Sequence, residues 1–165
     1  MESIDETSSP GGRESFEKAV ELAYRSISRR DRTVAEVRGF LERKEVTPAA
    51  IDHALSELSD AGWLDDERFA QRFAQDKRSI ERWGGERIEL ELRRRGVPAD
   101  AIAAAAGEQD RDGELAAAID ILAQKAGPLE GDRERDRAWR LLVRKGYEPE
   151  LAYETVRQSG RRAAA

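Results

Sequence analysis

Residues 85–97 read GERIELELRRRGV. Ile88 and Leu92 lie four apart among charged neighbours, the spacing of an amphipathic helix. The stretch then closes on three arginines, a glycine and an apolar residue. The same ending is written twice more, as LERKEV at 41–46 and LVRKGY at 142–147. Leu41, Leu92 and Leu142 fall in one column. A basic pair follows each: Arg43-Lys44, Arg94-Arg95, Arg144-Lys145. Next come Glu45, Gly96 or Gly146, then Val46, Val97 or Tyr147, and a proline within two positions: Pro48, Pro98, Pro149. Self-similarity at about fifty residues is the signature of stacked supersecondary units.

Each ending has a structural cause. Gly96 and Gly146 can take the left-handed conformation that closes a helix. Arg and Lys in the last turn complement the negative end of the helix dipole. Proline suits the first position of the next helix, where no backbone N–H is needed. The recurring stretch is therefore a joint between two helices. Glu45 replaces glycine in the first joint and is expected to make a poorer cap.

A further helix precedes each joint. Phe16, Val20, Ala23 and Ile27 share one face; so do Phe69, Phe73 and Ile80, and Leu115, Ile119 and Leu122. Thr33-x-x-Glu36 reads as a capping box opening the stripe Val34, Val37, Leu41. Ala138, Leu141 and Leu142 form the corresponding stripe in the third unit. After the joints come Ile51, Ala54, Leu55 and Leu58, then Ile102 among alanines, then Leu151, Thr155 and Val156. No segment alternates with period two over strand length. The expectation is an all-α fold of nine helices in three tandem three-helix repeats. Their spans are 14–61, 62–108 and 109–159, between a disordered acidic tail at 1–13 and a flexible tail at 160–165. Such arrays are usually elongated and bind extended partners.

Composition narrows the function. Of 165 residues, 38% are charged and 6% aromatic, which is thin core material for one large globule but adequate for amphipathic helices. Without cysteine there is no disulfide, thiolate metal site or Cys nucleophile. No apolar run approaches membrane-spanning length, and the N-terminus lacks a basic start followed by an apolar run. A cytoplasmic protein is expected. Net charge is −5, so the chain is not a simple polycation that coats DNA. The charge is nevertheless blocked. Residues 25–44 carry seven basic and three acidic side chains, whereas 45–66 carry six acidic side chains and no Lys or Arg. Residues 77–95 and 133–145 are again basic, and 98–120 acidic.

Little in the sequence points to catalysis. The single His53 has no second His or Cys with which to bind metal. Asp65-Asp66 reads as an N-cap with an acidic first turn. Ser and Thr lack a base to activate them. Gly84-Gly85 before a helix offers N–H groups to a phosphate but reads better as a hinge. Trp63 and Trp83 are stacking candidates for bases, whereas Trp139 lies beside the apolar stripe of its helix. Trp63, directly after a helix stop, is expected in the core. The basic clusters are the strongest binding candidates: Arg43, Lys44, Arg93, Arg94, Arg95, Arg144 and Lys145. Arginine suits bidentate contact with carboxylate or phosphate.

GWLDDERFA at 62–70 and GGERIELELRRRGV at 84–97 together resemble the RecX family, bacterial regulators of the RecA recombinase. AYRSISRRDRTVAEVRGFLERK at 23–44 is similar to that family's first repeat, and RAWRLLVRKGYEPELAYETV at 137–156 to its last. The resemblance spans roughly 16–158. It implies three tandem three-helix units in an elongated, curved monomer without enzymatic activity, cofactor or metal. It also implies a partner: the RecA filament on single-stranded DNA, whose groove the protein occupies while inhibiting strand exchange and ATP hydrolysis, with only weak direct DNA binding. The binding surface carries over only as far as the seven basic positions above. Gly62, Trp63, Leu64, Asp65, Asp66 and Phe69 carry over as structural. The competing reading is a stand-alone DNA-binding module, with 33–64 as a helix–turn–helix and 48–60 as its reading helix. That helix carries Asp52, Glu57 and Asp60 and no Lys or Arg, so phosphates would repel it.

Overall fold

A computed structural model describes residues 10–107 and 110–163. Among these residues there are nine helices and no strand. They are α1 (Pro10–Ile27), α2 (Val34–Glu42), α3 (Pro48–Asp60), α4 (Asp66–Ser79), α5 (Gly85–Arg94), α6 (Ala99–Ala106), α7 (Arg111–Lys125), α8 (Asp132–Lys145) and α9 (Pro149–Ala163). The all-α expectation holds, and the helices fall in the anticipated order. α1 begins at Pro10, so positions 10–13 of the expected tail are helical; residues 1–9 lie outside the described residues. At the other end α9 continues to Ala163, through most of the span read as a flexible tail.

The leucine column is fully buried: Leu41, Leu92 and Leu142 each expose 0%. These residues sit one helical turn or less from the joint, so each joint is anchored by a core side chain on its N-terminal side. Val97 and Tyr147 are buried on the other side, while Val46 is half-buried. Two burial expectations fail. Helix α4 stops at Ser79, and Ile80 falls in the following turn, 77% exposed. Trp63 is 59% exposed, because the left-handed Gly62 (φ 72°) turns the chain so that Leu64 is buried in its place. The N–H groups of both Trp63 and Leu64 return to the Leu58 carbonyl, at 2.8 and 3.1 Å. The hydrophobic contact that follows this helix stop thus belongs to the next residue along.

The chain forms two compact units. Unit 1 holds the chain up to Phe69 together with Arg95–Pro98; unit 2 holds Ala70–Arg94 and the chain from Ala99 onward. The core of unit 1 gathers Ala19 and Ala23 of α1, Val37 and Leu41 of α2, and Ile51, Ala54, Leu55 and Leu58 of α3. Unit 2 contains a cluster from α7, α8 and α9 that includes Ile121, Leu122, Ala138, Leu142, Tyr147 and Leu151. Small alanines at the contact positions let helix backbones approach closely, which suits a chain with few large apolar side chains.

Candidate functional site

The second joint, Arg95–Pro98, packs on the start of α2 within unit 1. Thr33 is the N-cap of α2: its Oγ1 accepts from the Glu36 N–H while the Glu36 carboxylate accepts from the Thr33 N–H, the expected capping box. The same Thr33 hydroxyl donates to the Arg95 carbonyl at 2.6 Å. The Arg95 guanidinium meets the Glu36 carboxylate through two hydrogen bonds of 2.9 Å, donates to the Asp31 carbonyl at 3.3 Å, and lies 4.4 Å over the Phe69 ring. Asp66 accepts from the Val34 N–H at 3.0 Å. Burial pushes the Asp66 carboxyl up, with Asp65 nearby adding to the effect. Gly96 (φ 75°) sits so close to Ala35 that an added Cβ would come within 2.5 Å of the alanine methyl.

The third joint repeats this arrangement on the start of α5 in unit 2. Gly84 occupies the place of Thr33, and its N–H donates to the Lys145 carbonyl at 2.9 Å. The Glu86 N–H donates to the Gly146 carbonyl at 3.1 Å, and the Gly85 N–H to the Glu114 carboxylate at 2.9 Å. Gly146 (φ 90°) leaves no room for a side chain, since Arg87 occupies the space a Cβ would need. Each of these joints therefore does two jobs. It reverses the chain, and its carbonyls accept from the start of another helix: the third joint from backbone N–H groups at the start of α5, the second from the Thr33 hydroxyl that caps α2. Among the described residues, the first joint does the first job alone. Arg43, Lys44 and Glu45 are all exposed, and Glu45 adopts the same left-handed turn at φ 58°.

Comparison with known proteins bears on what this architecture is. A family profile described as "RecX, first three-helix domain" matches residues 19–58, and "RecX, second three-helix domain" matches 65–105. The regulatory protein RecX of Amycolatopsis mediterranei is 32% identical over 155 residues, covering 92% of this chain and 89% of that protein. The chain belongs to the RecX family. Regulatory protein RecX of Deinococcus radiodurans is also 32% identical, over 88% of this chain and 70% of its own. A crystal structure of RecX from Lactobacillus salivarius superposes with a TM-score of 0.81 at 16% identity, covering 89% of this chain and 97% of the other, and so shares its fold.

The seven basic positions of this RecX-family chain divide sharply. Arg43, Lys44, Arg93, Arg94 and Arg144 are exposed. Arg93 and Arg94 make long intrahelical pairs, with Glu89 and Glu91 at 3.8 Å. Arg95 and Lys145 are half-buried and already committed. Arg95 is bound as described above. The Lys145 ammonium donates to the Glu81 carbonyl, and burial lowers its pKa, with Lys125 and Arg87 adding to the effect. One place in the joint, that of Arg43, Arg94 and Arg144, is thus exposed in all three repeats. The following place is exposed only in the first. Periodicity along a single helix gave no sign of this, because the partners that bury Arg95 come from tens of residues away.

Other candidates resolve as structural. Asp65 accepts from the Arg68 N–H at 2.9 Å, as an N-cap does. His53 stacks on Phe16 at 4.9 Å and lies 3.3 Å from Glu57. No group of metal-ligating side chains occurs among the described residues. The N–H groups of Gly84 and Gly85 are taken by protein acceptors, so they do not cradle a phosphate. Trp139 donates to the Pro149 carbonyl at 3.1 Å. The Trp83 ring has Arg87 at 4.0 Å and Lys77 at 4.7 Å, with Phe73 at its edge, which leaves it unsuited to stacking on a base. No described helix is long and apolar enough to cross a membrane.

Proposed function

We propose that this chain inhibits the RecA recombinase, binding the RecA–single-stranded DNA filament in its groove and suppressing ATP hydrolysis and strand exchange during recombination, repair and the SOS response. It acts in the cytoplasm as a non-enzymatic monomer. The observation that carries this reading is the exposed arginine at one place in every joint, Arg43, Arg94 and Arg144, in a chain whose relatives are regulatory RecX proteins. A repeated partner is best met by a repeated cation, and a net charge of −5 keeps the chain from coating DNA at large. The stand-alone DNA-reading alternative is disfavoured by α3, where Asp52 pairs with Arg38 at 2.8 Å and no Lys or Arg is present.

RecA-catalysed ATP hydrolysis on single-stranded DNA tests the proposal, with this protein well below the RecA concentration. A fall in rate is expected. Reversing the charge of Arg43, Arg94 and Arg144 together should weaken inhibition at least tenfold while the helical circular dichroism signal is kept. Full activity of RecA at equal concentrations of cognate partner would sink the regulatory reading.

A further inference from the structure

Helices α1 and α3 of unit 1 leave a groove of about 390 Å³ between them. The rings of Tyr24 and Trp63 line it together with Val20 and Leu58. The two rings meet edge to face, with centroids 5.6 Å apart and planes at 86°. They are 46% and 59% exposed, the largest apolar surface that unit 1 leaves uncovered among the described residues. Elsewhere the chain covers its rings with its own cations. Arg32 lies over Phe40, Lys77 over Phe73, Lys77 and Arg87 over Trp83, and Arg95 over Phe69. Among the described residues no cation lies over Tyr24 or Trp63. The charged walls of the groove are carboxylates, Glu17, Glu21 and Glu57, and no Lys or Arg lines it. Glu21 is paired with Arg25 one helical turn along, and Glu57 lies 3.3 Å from His53. Glu17 is exposed and has no ion pair among the described residues.

We infer that this groove docks a basic segment of a protein partner, seating an arginine or lysine side chain on the Tyr24 and Trp63 rings between the carboxylates. The aliphatic stem of that side chain lies along Val20 and Leu58, and its charged head meets a ring face and the carboxylate of Glu17 or Glu57. Arginine fits better than lysine, because a planar guanidinium both stacks on a ring and pairs with a carboxylate through two hydrogen bonds. The rings are in place before a partner arrives. Tyr24 stands on α1, and the Trp63 N–H is bound to the Leu58 carbonyl at 2.8 Å. Little ordering is then left for binding to impose. Trp and Tyr set in a recess are the residues that carry most energy at protein interfaces. A nucleic acid does not suit the groove, since its phosphates would face three carboxylates. This docking goes beyond the filament reading and stands without it.

The test follows the indole N–H signals of the full chain by proton–nitrogen correlation NMR while a short alanine peptide carrying two arginines is added. Trp63→Leu, which keeps apolar bulk and removes the ring face, identifies the Trp63 signal. That signal is expected to move on titration while those of Trp83 and Trp139 stay in place. Replacing both arginines by citrulline keeps the shape and removes the charge. It should weaken binding about tenfold, as should Trp63→Leu and Glu17→Gln/Glu57→Gln, read by anisotropy of the labelled peptide. A charge-matched variant outside the groove, Asp120→Asn/Glu130→Gln, should bind as the parent chain does. Circular dichroism follows the fold. If the double groove variant does not fold, Glu17→Gln alone should weaken binding about threefold. A Trp63 signal that does not move with the arginine peptide would overturn the inference. So would equal binding of the citrulline peptide, equal losses in the two charge variants, or a Trp63 signal moved by an oligothymidylate and not by the peptide. A Trp63 signal that shifts with protein concentration alone, with dimers in sedimentation, would give the groove to a second copy of the chain and overturn the inference as well.

Discussion

At Arg95 a residue that reads as surface charge is held on three sides: by Glu36, by the Asp31 carbonyl and by the Phe69 ring. Its side chain and that of Glu36 are each 21% exposed, so losing one partner strands a poorly solvated charge on the other. Arg95→Ala should cost about 2 kcal/mol in urea unfolding, whereas Arg94→Ala, at an exposed pair, should change stability by about 0.5 kcal/mol or less. The contrast warns against mutating Arg93, Arg94 and Arg95 together, since the third residue would report on folding. Glu45 is the other instructive residue. It holds a left-handed turn that costs a side chain about 1 kcal/mol. Glu45→Gly is therefore expected to raise the melting temperature by about 2–4 °C, read by a thermal scan.

Among elements, the joints explain which glycines are irreplaceable. Gly62 and Gly146 both have positive φ, but a Cβ at Gly62 would meet nothing within 4 Å, whereas at Gly146 it would collide with Arg87. Gly62→Ala should cost about 1 kcal/mol and Gly146→Ala about 3 kcal/mol by chemical unfolding, the difference being the clash. The start of α2 adds a pH dependence. Burial pushes the Glu36 carboxyl up, but hydrogen bonds from Arg95 and the Thr33 N–H outweigh it and leave the pKa below the usual range. A depressed carboxyl contributes stability above its unfolded pKa of about 4.3 and loses it as pH falls through the folded value. The stability gap between the parent chain and Glu36→Gln should thus be full at neutral pH and close progressively below about pH 4. Asp66, whose pKa is raised, acts in the opposite sense: its contribution is present below the unfolded value and fades as pH rises through the folded one.

Across the molecule, the three sequence repeats and the two compact units do not share boundaries. Arg95–Pro98 belongs to unit 1 although Ala70–Arg94 before it belongs to unit 2. A chain ending at Phe69 would therefore lack the residues that meet Thr33, Ala35 and Glu36. Such a truncation should unfold at lower urea than the same region in the full chain, as seen by amide hydrogen exchange of α2. This division also shows what could be read from sequence. Helix count, helix order, the leucine column and the Thr33 capping box were all legible, because each depends on neighbours within a few residues. The commitment of Arg95 and Lys145 and the exposure of Trp63 and Ile80 were not. They depend on contacts spanning up to about sixty residues, or on where a helix happens to stop.

The left-handed turns also keep a count. Among the described residues there are three joints, of which two have a helix start beneath them, and those two carry glycine. A chain of repeats joined this way needs one fewer seated turn than it has units, and the unseated one stands first. A gene duplication that placed another unit ahead of α1 would press Glu45 against a new helix start. A glycine in place of Glu45 would suit a joint seated in that way.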